Sequence, residues 1–160
     1  FGGRDMSLDT TGSKSRLRLW LRLLKASKLI ETELRERMRR ELDTTLPRFD
    51  VMAALSRNPA GLKMSELSGV LKVSNGNVTG IVERLVEEGF VRRDAVKGDR
   101  RAFLARLTEQ GRTEFERQAS AHEGWIDGLL SDVEPDRAER LSVLLAEVAA
   151  HLEEGKRDEN

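Results

Sequence analysis

The chain has 160 residues, with 28 Lys+Arg balanced by 28 Asp+Glu, no cysteine, no tyrosine and two histidines. That length suits one domain with a modest core, or a small domain carrying long helical arms. Without thiols there are no disulfides, thiolate ligands or cysteine redox chemistry, and without an apolar run of about eighteen residues or a secretory h-region the chain reads as soluble and cytoplasmic.

The neutral total conceals separated signs. Residues 1–46 hold 11 basic against 7 acidic side chains, residues 47–107 again 11 against 7, and residues 108–160 hold 6 against 14, giving +4, +4 and −8. A basic middle attracts a phosphate backbone. Long solvated helices also carry uneven charge, so charge alone leaves both readings open.

Phe1 to Asp5 precede Met6 and read as a remnant ahead of a native start, outside the fold. From Ser13 to Leu46, Trp20, Leu23, Leu24, Ser27, Ile30, Leu34, Met38 and Leu42 recur at three- and four-residue steps, one face of a long helix, with Arg16, Arg18, Arg22, Lys25 and Lys28 along its first half. Pro47 suits the first turn of a second helix facing inward through Phe49, Met52 and Leu55, and Asn58-Pro59-Ala60-Gly61 stops it. Ser65 is a good N-cap for a short helix over Glu66 to Lys72 with Leu67, Val70 and Leu71 inward, and Ser74 caps the next. There Val78, Ile81, Val82, Leu85 and Val86 form the apolar stripe, and Gly89 ends it. Phe90 to Val96 and Ala102 to Leu107 flank a glycine-containing turn and read as a hairpin with the basic tip Lys97-Gly98-Asp99-Arg100-Arg101. Thr108 caps a long helix to about Leu130, with Phe115, Ala119, His122, Trp125 and Leu129 on one stripe. Pro135 starts the last helix, striped by Leu141, Leu144, Leu145, Val148 and Leu152, and residues 155–160 read as a frayed tail.

The expected fold is therefore mainly α with a small β-hairpin wing. A winged helix-turn-helix region over residues 47–107 is flanked by long dimerisation helices at 13–46 and 108–154. The outer helices are too long to bury their stripes on a domain of about 60 residues, so they pack on each other and on a second copy of the chain. A two-fold dimer places two reading helices about one DNA turn apart and calls for a pseudo-palindromic operator.

The stretch Gly98-Asp99-Arg100-Arg101-Ala102-Phe103-Leu104-Ala105-Arg106-Leu107-Thr108-Glu109-Gln110-Gly111 resembles the Asp-x-Arg wing and Leu-Thr-x-x-Gly of the MarR family of bacterial transcription regulators. Ser74 to Gly89 with Phe90-Val91-Arg92-Arg93 is similar to that family's recognition helix and first wing strand. The resemblance extends over residues 13–154. It implies a homodimeric, nucleoid-associated repressor, released from DNA by a small, frequently aromatic, ligand.

For DNA, the side of the reading helix opposite its apolar stripe offers Asn75, Asn77, Thr79, Gly80 and Arg84, whose amides and hydroxyl reach base edges or phosphates; Ser74 stands at its start. Many family members carry a basic residue where this chain has Gly80, which shifts the reading toward Asn75 or Asn77. Arg101 matches the family arginine that enters the minor groove, with Asp99 holding it or the turn. Arg92, Arg93, Lys97 and Arg100 are assigned to phosphates. Each of these residues also has a plain reading as a solvated helix start or hairpin edge.

For an effector, the resemblance points to Arg18, Trp20 and Arg22 on the first helix, Phe49 on the second, and His122 and Trp125 on the fifth. An aromatic wall beside a guanidinium suits an aromatic acid. Trp20, Phe49, His122 and Trp125 also fall on apolar stripes, where core packing is the more common explanation. The openings Arg18-Leu19-Trp20-Leu21-Arg22 and Leu46-Pro47-Arg48-Phe49-Asp50 look like members controlling phenylpropanoid or other aromatic-acid breakdown, some of which answer to a coenzyme A thioester.

An enzyme reading fails on inventory. With no cysteine or tyrosine and only His122 and His151, no nucleophile–base pair or metal-ligand spacing stands out, and neither metal nor cofactor is expected. The remaining rivals are a DNA-binding repressor or architectural protein without an inducer, and a helical interaction protein whose hairpin is incidental.

Overall fold

The computed structural model describes residues 10–71 and 75–159, with only the backbone of Thr10 and Asn75. In chain order it contains α1 (Thr10–Leu42), α2 (Leu46–Arg57), β1 (Leu62–Lys63), α3 (Met64–Leu71), α4 (Asn75–Glu87), β2 (Val91–Val96), β3 (Asp99–Leu107), α5 (Glu109–Leu129) and α6 (Pro135–Asp158). This is the mainly helical, hairpin-bearing class expected. Two compact units divide the chain, one ending at Glu123 and the other beginning at Gly124.

The core of the first unit gathers Val51, Met52 and Leu55 of α2, Leu67 of α3, Val78, Val82 and Leu85 of α4, and Val91, Ala105 and Leu107 of the sheet. Burying each large aliphatic side chain stabilises the fold by about 1.5–3 kcal/mol, so the α4 stripe that the sequence spacing predicts also fixes which side of α4 faces out. Ser74, the expected cap, lies outside the described residues.

Several boundaries differ from expectation. The first helix stops at Leu42 and not Leu46, because Asp43 adopts φ 50, a left-handed conformation that no helix continues. Thr45, one residue before α2, caps it by accepting a hydrogen bond from the Arg48 N–H at 3.3 Å, and Pro47 occupies the first turn. The third helix begins at Met64, so Ser65 lies within its first turn. Glu66 reaches back to accept from the Lys63 N–H at 3.0 Å, the carboxylate half of a capping box. Val70, expected inside, is 51% exposed, while Ser68 of the same helix is buried.

The sheet order is β1-β3-β2, all antiparallel. Leu62 and Lys63 pair with Ala105 and Leu104, a third strand the sequence reading did not include. The β2–β3 turn at Lys97-Gly98 holds Gly98 at φ 87, where a side chain would be strained.

At the far end of the hairpin the chain is clasped. The Thr108 N–H donates to the Phe90 carbonyl at 3.0 Å. The Thr108 hydroxyl donates to the Gly89 carbonyl at 2.6 Å and accepts from the Gly111 N–H at 2.9 Å, acting as the expected cap of α5. Gly111 packs so closely that an added Cβ would overlap the Phe90 carbonyl oxygen.

On α1, among the residues whose side chains are described, only Leu34 and Met38 are buried, and Trp20, expected on the inward stripe, is 56% exposed. The second half of this helix carries the pairs Arg35–Glu31 (2.5 Å), Arg37–Glu33 (2.9 Å) and Arg40–Glu36 (3.4 Å), each worth about 0.3–0.5 kcal/mol at an exposed site. In the second unit, α6 buries none of its residues, leaving Leu141, Leu144, Leu145, Val148 and Leu152 exposed.

Candidate nucleic-acid interface

The burial of Val78, Val82 and Leu85 turns Asn77, Thr79, Gly80 and Arg84 to the exposed side of α4. A Cβ at Gly80 would meet nothing within 4 Å, so its small side is not demanded by packing. The side chain of Asn75 lies outside the description.

The antiparallel register of β2 and β3 projects Lys97, Arg100 and Arg101 from the tip of the hairpin, all exposed and without an ion-pair partner among the described residues. Asp99 does not hold the Arg101 guanidinium. Its Oδ1 accepts from the Arg101 backbone N–H at 3.0 Å, which fixes the turn and leaves the guanidinium to project. Arg92 and Arg93 are more engaged: Arg92 lies 3.3 Å from Asp94, while Arg93 lies 3.9 Å from Glu83 of α4 and 5.1 Å from the centroid of the Phe103 ring. Arg106 is structural, bridging Asp94 at 3.2 Å and the Pro59 carbonyl at 3.0 Å.

Of the residues singled out for an effector, Phe49 and His122 meet. Phe49 is buried and stacks on Phe115 (centroids 5.6 Å apart, 25° between planes) and on His122 (4.7 Å, 28°). Phe115 appeared in the sequence only as part of an apolar stripe. Burial holds the His122 imidazole below its ordinary pKa, with the Asp50 charge pulling it back. Loss of hydration raises the Asp50 carboxyl above its ordinary value, against the attraction of His122 and Arg35. Asp50 entered the sequence reading only within the Leu46–Asp50 opening, with no role of its own. Arg18, Trp20 and Arg22 are exposed on the first half of α1, and Trp125 is buried and belongs to the unit that begins at Gly124.

A second contact absent from the sequence reading joins α2 to the end of α4. The Arg48 guanidinium donates to Glu88 Oε1 at 3.0 Å and makes a further contact with Oε2, forty residues away in sequence. Bidentate pairs of this kind fix geometry as well as charge.

Comparisons with known proteins agree with this architecture. The MarR family profile matches residues 44–103, which run from the start of α2 into the wing. A solved MarR family transcriptional regulator from Silicibacter pomeroyi is 37% identical with a TM-score of 0.71, over 88% of this chain and 96% of that one. A mutant of MarR from E. coli, solved in complex with operator DNA, is 25% identical with a TM-score of 0.70, over 84% of this chain and 95% of that one. Among curated proteins, the HTH-type transcriptional regulator PecS of Dickeya dadantii is 30% identical over 106 residues, 65% of this chain and 64% of PecS, so the match spans just under two thirds of that relative's length. The Silicibacter pomeroyi protein and PecS are both named as transcriptional regulators. With the family profile seated on the helix–turn–helix and wing, and a 37% identical family member superposing over nearly its whole length, the chain belongs to the MarR family.

Proposed function

We propose that this protein is a DNA-binding transcriptional regulator, acting as a homodimeric repressor on a pseudo-palindromic operator. The observation that carries the reading is the hairpin tip: Lys97, Arg100 and Arg101 project without in-chain ion-pair partners among the described residues, and α4 presents Asn77, Thr79 and Arg84 beside the same basic region. Phosphate contacts supply affinity there and base edges supply specificity. The uncovered apolar stripe of α6 supports a second copy of the chain as partner. The operator complex of the E. coli MarR mutant supports duplex DNA as ligand. The test is a fluorescence anisotropy titration against DNA upstream of the protein's own gene at several salt concentrations. Each phosphate neutralised should steepen the fall of log K with log salt by about 0.9. Binding that ignores both salt and sequence refutes the proposal.

The finer part of the proposal is release from DNA by an aromatic acid or its coenzyme A thioester. It is supported by the exposed guanidinium groups of Arg18 and Arg22 flanking exposed Trp20, and by the aromatic character of the Phe49, Phe115 and His122 stack. A true effector weakens DNA binding and changes tryptophan emission over one concentration range, and Arg22→Ala blunts both while sparing DNA affinity in its absence. If no acid or thioester moves either signal, the protein is a repressor without an inducer.

A further inference from the structure

We infer, on the reading of α4 as the helix that enters DNA, that Glu83 is a specificity-determining residue. Its carboxylate accepts a hydrogen bond from the exocyclic amino group of a cytosine in the major groove, and so fixes a G·C pair at that position. Glu83 lies about two turns after Asn75, where α4 begins, and is the first acidic residue of the helix. The burial of Val78, Val82 and Leu85 places it outward together with Thr79, Gly80 and Arg84, and its side chain is 57% exposed. One turn earlier Gly80 contributes no side chain, and even a Cβ there would meet nothing within 4 Å, so the turn before Glu83 leaves it uncovered.

A carboxylate in this place is costly unless it gains something from the groove, because phosphates line both edges and repel it. Its cation is Arg93 of β2, 3.9 Å away, whose guanidinium also lies 5.1 Å from the centroid of the Phe103 ring. That separation is the outer limit of an ion pair, and both groups are solvent-exposed. Arg93 therefore offsets the charge without consuming the acceptor, and Glu83 accepts no hydrogen bond among the described residues. The lone pairs of its carboxylate stay open to a donor from outside the chain.

The base edges of the major groove offer two kinds of donor, the cytosine N4 and adenine N6 amino groups. Beside the adenine amino group stands the N7 acceptor, which repels a carboxylate oxygen; beside the cytosine amino group stands a carbon. Guanine and thymine show acceptors and a methyl group and give a carboxylate nothing to accept from. A carboxylate therefore selects cytosine, whereas the amide of glutamine, donor and acceptor at once, suits adenine.

The test selects duplexes from a pool with a randomised core, using the full chain and its Glu83→Gln variant. Both proteins are then titrated by anisotropy with the duplex that the wild type selects and with its single-base-pair variants. The wild type should select a fixed cytosine at one position in each half-site, and Glu83→Gln should replace it by adenine with the other positions unchanged. On the cytosine duplex the variant should bind about tenfold more weakly, as expected for one lost base contact. On duplexes without that cytosine it should bind more tightly than the wild type, because a charge that repels phosphate has gone. A role confined to holding Arg93 would instead move affinity in one direction on every sequence. Identical base preference in the two proteins, or an affinity change of one sign on every duplex, overturns the inference and leaves the DNA-binding reading standing. A wild-type chain that selects no sequence overturns both.

Discussion

Replacing Gly111 with alanine sets two effects of known sign against each other. In an open helix the exchange is favourable by about 1 kcal/mol, because alanine loses less backbone entropy on folding. Here the added methyl overlaps the Phe90 carbonyl oxygen and lies 2.8 Å from its carbon and 3.1 Å from its Cα. The obstacle is backbone, already held by the Thr108 N–H, so it cannot swing aside as a side chain would. Overpacking costs about 1–3 kcal/mol, occasionally more, and a rigid neighbour places this site at the upper end. The expected net effect is a destabilisation of about 2 kcal/mol after subtracting the propensity gain. Urea unfolding at fixed protein concentration should show a lower midpoint with an unchanged slope. Gly69→Ala on α3, where a Cβ meets nothing within 4 Å, is the control and should stabilise by up to about 1 kcal/mol. Gly111→Ala protein as stable as the parent would refute the steric account of the clasp.

Arg101→Ala should weaken specific DNA binding by about 1–3 kcal/mol, measured by anisotropy at matched salt, with thermal stability unchanged because the Asp99 contact uses only the backbone of residue 101. Deleting residues 135–160 should abolish dimerisation in sedimentation velocity, since α6 buries nothing in its own chain; a well-behaved dimer of the truncated form would contradict this. The depressed His122 pKa means that the folded chain binds fewer protons there than the unfolded one. Stability at this residue should therefore fall as pH drops below about 6.5. His122→Phe keeps a ring against Phe49 and should flatten that fall in urea midpoints measured from neutral to mildly acidic pH. Asp50, whose carboxyl is raised, has the opposite sign: its contribution is complete below the unfolded value near 3.8 and declines as pH rises through its folded value.

What could be read from the sequence was whatever repeats locally. The α4 stripe, the glycine turn of the hairpin and the Thr108 cap each depend on residues within about eight positions, so spacing and turn chemistry were sufficient. Partners distant in sequence were invisible. The β1 strand is two residues long and exists only because Leu62 and Lys63 meet β3 some forty positions later. The Arg48–Glu88 pair and the Phe49–His122 stack are equally remote contacts with no periodic signature. The end of α1 was misplaced because left-handed Asp43 resembles any other polar residue on an amphipathic pattern. Val70 was assigned inward by period alone, although Ser68 takes a buried place on the same helix. For the DNA-facing side, exposure follows from the opposite stripe, whereas the in-chain engagement of Arg92 and Arg93 required the register of the strands.

The Thr108 clasp is a three-way joint. Three hydrogen bonds and one methyl-free contact within four residues tie the root of α5 to the exit of α4 and the entry to β2. The helix that carries Asn77, Thr79 and Arg84 and the strand that leads to the basic tip thus leave from one fixed point, so the angle between them is set there and not along either element. Loosening the joint would leave each element intact yet free to swing against the other.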